Sequence, residues 1–223
     1  MAVAFDASGG STVANASSLT YSHTCTGSNL TLYVSAVSGA ASRPVSGITY
    51  NSVAMTLVTS TSDANGNQFY LYALISPSTG ANNVVVSVSG GTVPISSQSA
   101  SFTGTNQSNI STVKGTSGGN NTGTGSQSLT STVDNSAMFA AVFAATSEIL
   151  TAGSGTTKIL YTAGSNADGL CIYDSSPLLI TPSGSKTLNW AFGASTPKWM
   201  SIAIMVEPPA APITYRGNFL AFM

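Results

Sequence analysis

The chain has 223 residues, of which 42% are hydrophobic and only 6% charged, with a formal net charge of −1. A mean hydropathy of +0.24 with so little charge excludes an intrinsically disordered chain, which combines low hydrophobicity with high net charge. The basic residues Arg43, Lys114, Lys158, Lys186, Lys198 and Arg216 stand singly, which excludes the phosphate-neutralising patch of a nucleic-acid binder.

Read from the N-terminus, Met1–Asp6 has no basic stretch and no long apolar run, so no secretory signal is expected there, and Ala2–Ala7 is a candidate terminal anchor. Strand signals follow at Asn29–Val37, Gln68–Ile75, Asn83–Val88, Ser97–Phe102, Ser136–Thr146, Gly169–Tyr173, Thr187–Phe192 and Trp199–Val206. These segments are short, rich in Val, Ile, Tyr, Phe and Thr, and separated by Gly, Asn, Ser and Pro clusters. The longest apolar runs, Ala137–Ala145 and Ile202–Val206, are strand-sized and too short to span a membrane as helices. An all-β fold is expected.

Two halves share a pattern, over about residues 18–103 and 128–206. In each, an aromatic-aliphatic strand leads through a Ser-Pro turn into another strand, Tyr72 to Val88 and Tyr173 to Phe192. Each half closes on a similar strand, Ser97–Phe102 and Trp199–Val206. A half-length β module has little core of its own. One jelly-roll-like sandwich interleaved from two Greek-key halves over residues 1–207 is therefore expected, with two immunoglobulin-like sandwiches as the alternative. Gly115–Ser126, all glycine and small polar residues, predicts a flexible surface loop. From Pro208 a Pro-rich arm leads to an apolar tail carrying Ile213, Tyr215, Phe219, Leu220, Phe222 and Met223, a candidate assembly hook.

Few residues carry chemistry. His23 is the only histidine and would share a strand face with Cys25, but a structural histidine is the stronger expectation because no nucleophile-elbow pattern surrounds it. Cys25 and Cys171, far apart in the chain, are expected as free thiols. Asp63-Ala-Asn-Gly-Asn67 has the opening spacing of a calcium loop without its closing Glu, and a plain hairpin turn is expected. No metal and no cofactor are expected. Trp190 and Trp199, with Tyr50, Tyr70 and Tyr161, could form a glycan platform if their rings face solvent; core or rim packing is the commoner fate.

Gly47-Ile-Thr-Tyr-Asn-Ser-Val-Ala-Met-Thr-Leu57, Phe69-Tyr-Leu-Tyr72 and Ser76-Pro-Ser-Thr-Gly-Ala-Asn-Asn-Val-Val-Val86 together resemble a widespread uncharacterised β-sandwich family. Its members occur in tailed-phage structural regions and bacterial surface proteins. Ser52 stands where the family pattern has a turn glycine, and Phe69-Tyr-Leu-Tyr72 where it has a tryptophan strand. The resemblance spans about residues 18–103, implies no catalytic residues, and raises the expectation of a virion surface component.

The expected function is a non-enzymatic virion structural protein, such as a phage capsid decoration or other head or tail surface protein. It would be made without an export signal and partnered by sister subunits and a capsid or tail protein, with no nucleic acid and no membrane. The alternatives are a carbohydrate- or receptor-binding module, for which a surface glycan would be the partner, and a self-assembling shell or filament subunit.

Overall fold

In a computed structural model, the structure describes residues 2–63, 66–119, 123–144, 151–163, 169–174, 179–193 and 198–210, the side chains of 163 and 169–174 excepted. The fold is all-β: no helix occurs among the described residues, hence none long and apolar enough to cross a membrane. The first half comprises β1 (Ala4–Ala16), β2 (Ser18–Cys25), β3 (Thr31–Ser38), β4 (Val45–Tyr50), β5 (Val53–Ala54), β6 (Thr56–Ser62), β7 (Gln68–Ile75), β8 (Gly80–Val88) and β9 (Val93–Thr103). The second comprises β10 (Lys114–Gly119), β11 (Thr124–Thr130), β12 (Ala137–Ala144), β13 (Thr151–Ala152), β14 (Thr157–Ala163), β15 (Gly169–Asp174), β16 (Ser185–Ala191) and β17 (Trp199–Val206).

Each half forms its own pair of sheets. The first has an inner sheet ordered β1-β9-β3-β7-β6 and an outer sheet ordered β2-β8-β4-β5. The second repeats this order, with an inner sheet β10-β17-β12-β15-β14 and an outer sheet β11-β16-β13. In the first half the antiparallel pairs nest: β1 with β9, β2 with β8, β3 with β7 and β4 with β5. That is a long hairpin rolled over itself, the strand order of a jelly roll. Even the irregularities match, since edge strands β6 and β14 each carry one bulge, between Leu57 and Thr59 and between Lys158 and Leu160.

Strand pairing stays within each half: no sheet among the described residues combines strands of both. In the central strands β3, β12 and β17 every residue is buried. Side chains alternate across a strand, so such a strand needs a core on both faces. On β12, Met138, Ala140 and Val142 point into the sandwich of the second half, while Phe139, Ala141 and Phe143 point into a core shared with the first. On β3, Leu32, Val34 and Ala36 fill the sandwich of the first half, and Tyr33 and Val37 the shared core. The result is four layers, outer-inner-inner-outer, with three cores. Aromatic rings bind the seam between the inner sheets: Tyr33 stacks on Phe139 at 5.6 Å, and Phe102 meets Phe139 edge-on at 5.9 Å.

Two local expectations are corrected. Within Gly115–Ser126, expected as a flexible loop, Gly115–Gly119 belong to β10 and Thr124–Ser126 to β11, while residues 120–122 lie outside the described residues. Its glycines are there for close approach. A Cβ on Gly115 would lie 2.7 Å from the Gln127 amide, and one on Gly125 2.2 Å from the Trp190 indole nitrogen. The segment Ala2–Ala7 is no free anchor either: Val3 is buried in the seam, and β1 is laid along β9 over ten register pairs. The tail residues Ile213, Tyr215, Phe219, Leu220, Phe222 and Met223 lie outside the described residues.

Candidate functional site

The residue types that could carry chemistry converge at one place, where β1, β2 and β9 meet. On β2 alternate residues Leu19, Tyr21, His23 and Cys25 point inward, so His23 and Cys25 do share a face. Facing them are the odd-numbered serines of β9. The Tyr21 hydroxyl lies 3.0 Å from Ser97 Oγ, His23 Nδ1 lies 2.8 Å from Ser99 Oγ, and His23 Nε2 lies 3.0 Å from Ser101 Oγ. Ser101 in turn donates to Asp6 Oδ2 on β1 at 2.6 Å, and Asp6 also accepts from the Thr26 backbone N–H at 3.0 Å and from the Thr26 hydroxyl.

The order of donors decides what this cluster can do. Ser101 has one proton, already directed at Asp6, so it can only accept from His23 Nε2–H. Burial keeps the imidazole neutral, so Nδ1 accepts from Ser99. A nucleophilic triad places the imidazole between hydroxyl and carboxylate, with its bare nitrogen toward the hydroxyl. Here Ser101 stands between the imidazole and the Asp6 carboxylate, and the hydroxyl that faces the bare Nδ1 is that of Ser99, buried together with the ring. His23 is 1% exposed. Burial pulls its pKa down to about 4, with Asp6 pulling the other way. The Cys25 thiol is free, buried and pushed up in pKa by desolvation, the reverse of a reactive thiolate. The Tyr21 phenol is likewise pushed up to about 12 by burial, against the lowering effect of its bond to Ser97.

The second half contains the counterpart. Ser201 on β17 donates to Gln127 Oε1 on β11 at 2.7 Å and lies 3.5 Å from the Ser117 carbonyl on β10. In the first half Ser99 on β9 bonds His23 on β2 and lies 3.2 Å from the Gly9 carbonyl on β1. The strands are equivalent one for one, and an uncharged glutamine fills the role of the histidine. Both clusters pin the first strand of a half to the two strands beside it.

The remaining candidates separate. Trp190 and Trp199 are 1% and 6% exposed and pack edge-on at 5.4 Å inside the second sandwich, so neither ring offers a face to a sugar. Tyr50 and Tyr70 are buried in the first sandwich. Asp63 closes the β6–β7 turn, its carboxylate accepting from the Asn67 N–H at 2.9 Å and side-chain amide at 2.8 Å. Among the described residues no three His, Cys, Asp or Glu side chains are grouped to hold a metal.

What the surface offers is hydroxyls and amides. Four alternate residues of β2, Ser18, Thr20, Ser22 and Thr24, face outward from one end of the stack, and Thr124, Ser126, Ser128 and Thr130 of β11 from the other. A cleft of about 410 Å³ opens at the seam between the ends of β6 and β10, lined by Thr61, Ser62, Asp63, Thr116 and Ser117. Sequence reasoning singled out His23 but missed Asp6, Ser99 and Ser101. The alternating serines of Ile95-Ser-Ser-Gln-Ser-Ala-Ser-Phe102 were the available signal, since a buried strand with serine at every second position must have polar partners opposite. Comparison with protein families, with curated proteins and with solved structures returns no match.

Proposed function

We propose that the chain is a non-enzymatic structural protein of a virion surface, a phage capsid decoration protein or another head- or tail-associated component. The observation that carries this reading is the duplicated clasp. Where the first half uses His23 and Ser99, the second uses Gln127 and Ser201 in the same geometry, so the residues most suggestive of catalysis serve to hold strands together. Uncharged hydroxyl rows at both ends of the stack suit wet, repeated contacts on a lattice, where many copies supply avidity. The Pro-rich arm and its apolar tail supply the anchor in this reading. Antibody against the chain should label purified particles, and a chain ending at Glu207 should lose co-sedimentation with them. Particles that contain no copy of the chain overturn the proposal; unchanged co-sedimentation of the shortened chain overturns the anchor alone.

A second reading, binding of a neutral carbohydrate, is favoured by the seam cleft with its hydroxyls and the Asp63 carboxylate. It predicts saturable glycan binding that falls on Asp63→Ala; a blank glycan array at high protein concentration tells against it.

A further inference from the structure

We propose that β1 is an exchangeable clasp, the first strand of one copy seating on β9 of a second copy so that chains join by strand exchange. Of the 13 residues of β1 none is fully buried; the strand is held by its ladder, by polar side chains and by two apolar contacts, Phe5 edge-on to Phe102 at 6.0 Å and Val13 against the first sandwich's core. Ten register pairs tie it to β9. Asp6 takes three donors from Thr26 and Ser101, and Thr12 Oγ1 lies 3.0 Å from Ser96 Oγ. A second copy of β1 reproduces every one of these bonds, so exchange leaves their sum unchanged.

The bed beneath β1 selects its occupant. Ser97, Ser99, Ser101 and His23 are buried, and without a strand beside β9 Ser101 loses the Asp6 carboxylate and the edge amides of β9 lose their acceptors. The bed therefore has to be filled. A Cβ at Gly9 would lie 2.9 Å from the Ser22 carbonyl, and one at Gly10 2.9 Å from the Ser97 carbonyl, so side chains are excluded at two adjacent positions. A strand with Gly-Gly there and a carboxylate three residues before the first glycine is the sequence of β1 itself. The hinge is short: only Ser17 separates β1 in the inner sheet from β2 in the outer one. Extending Ser17 makes β1 and β2 one continuous strand and carries β1 away from its own β9, and short hinges favour such swaps.

The inference rests on the reading that the chain assembles with copies of itself, and it fails separately: particle association without strand exchange would remove the exchange alone. Chains carrying Thr12→Cys and chains carrying Ser96→Cys, both with Cys171→Ser and distinguished by a mass tag, are mixed, held at pH 4.5, neutralised and oxidised. A disulfide between position 12 of one chain and position 96 of the other, growing with protein concentration, is the expected result. The double variant Thr12→Cys/Ser96→Cys, oxidised when dilute, closes within one chain and shows that the pair can bond. Closure within that chain with no mixed dimer at any concentration overturns the proposal. Light scattering of the unmodified chain reads the same step: monomers at every concentration, or dimers that never cross-link, overturn it as well.

Discussion

Acidification should weaken this protein through His23 in particular, and the size of the effect follows from the clasp. In the folded chain the imidazole is enclosed by Asp6 from β1, Cys25 on its own strand, Ser99 and Ser101 from β9, and the Tyr50 ring edge-on at 6.2 Å. Its pKa stands at about 4 against an ordinary 6.5, with burial as the first cause. Below pH 6.5 the unfolded chain takes up a proton that the folded chain refuses until about pH 4. Stability is thus complete above pH 6.5 and declines as the pH falls to about 4, by about 3 kcal/mol for a shift of this size. His23→Gln places in the first half the residue that the second half already uses at Gln127, keeps a donor and an acceptor, and cannot titrate. Urea unfolding of both proteins at pH 7, 6, 5 and 4.5 gives the test, because every carboxylate is common to the two and all but Asp6, which acts on the imidazole, cancel in the difference. The wild type should lose stability relative to His23→Gln across that range. Parallel curves would refute the buried neutral imidazole and with it the donor order assigned to the clasp.

Two further outcomes follow from backbone and packing. In the β4–β5 hairpin both turn residues have positive φ, 47° at Asn51 and 65° at Ser52, the signature of a type I′ turn. Asparagine tolerates that region and serine does not, so Ser52→Gly should stabilise by about 0.5–1 kcal/mol, read as a higher urea midpoint at unchanged slope; a lower midpoint contradicts the turn. Gly125→Ala would drive a methyl into the Trp190–Trp199 pair and should cost about 1–3 kcal/mol while altering the near-ultraviolet dichroism of the tryptophans. An unchanged spectrum would mean that the rings are not where the structure has them.

Much of the fold was legible because apolar alternation survives in the strands that make the cores. Gln68–Ile75 and Trp199–Val206 are strands with the bounds read from sequence, and the Ser52 hairpin closes without its glycine. β1 was missed because Ala-Phe-Asp-Ala-Ser-Gly-Gly-Ser-Thr-Val-Ala-Asn-Ala carries almost no strand propensity; its place is dictated by what fits beside Ser22 and Ser97 rather than by what it buries. The Gly115–Ser126 segment misled for the same reason, since glycine marks both freedom and close contact. The count of sandwiches was hidden in one respect. A run such as Ala-Met-Phe-Ala-Ala-Val-Phe-Ala in β12 states that both faces are covered, but not that the second cover is the other half of the same chain. The clasp was legible only as a lone histidine, because its carboxylate and serines come from strands 17 to 78 residues away in sequence.

The covered inner sheets also bear on what either half could do alone. A gene for either half alone would encode a sandwich with one face bare, Tyr33, Phe69, Leu71 and Phe102 in one case, Phe139, Phe143, Ile202 and Ile204 in the other. Such a product dissolves as a single body only by mating that face to a sibling. Back-to-back halves with one strand order supply that mate within a single chain. Within one chain the seam does not depend on concentration, and the two halves fill the same clasp position with different residues, His23 in one and Gln127 in the other.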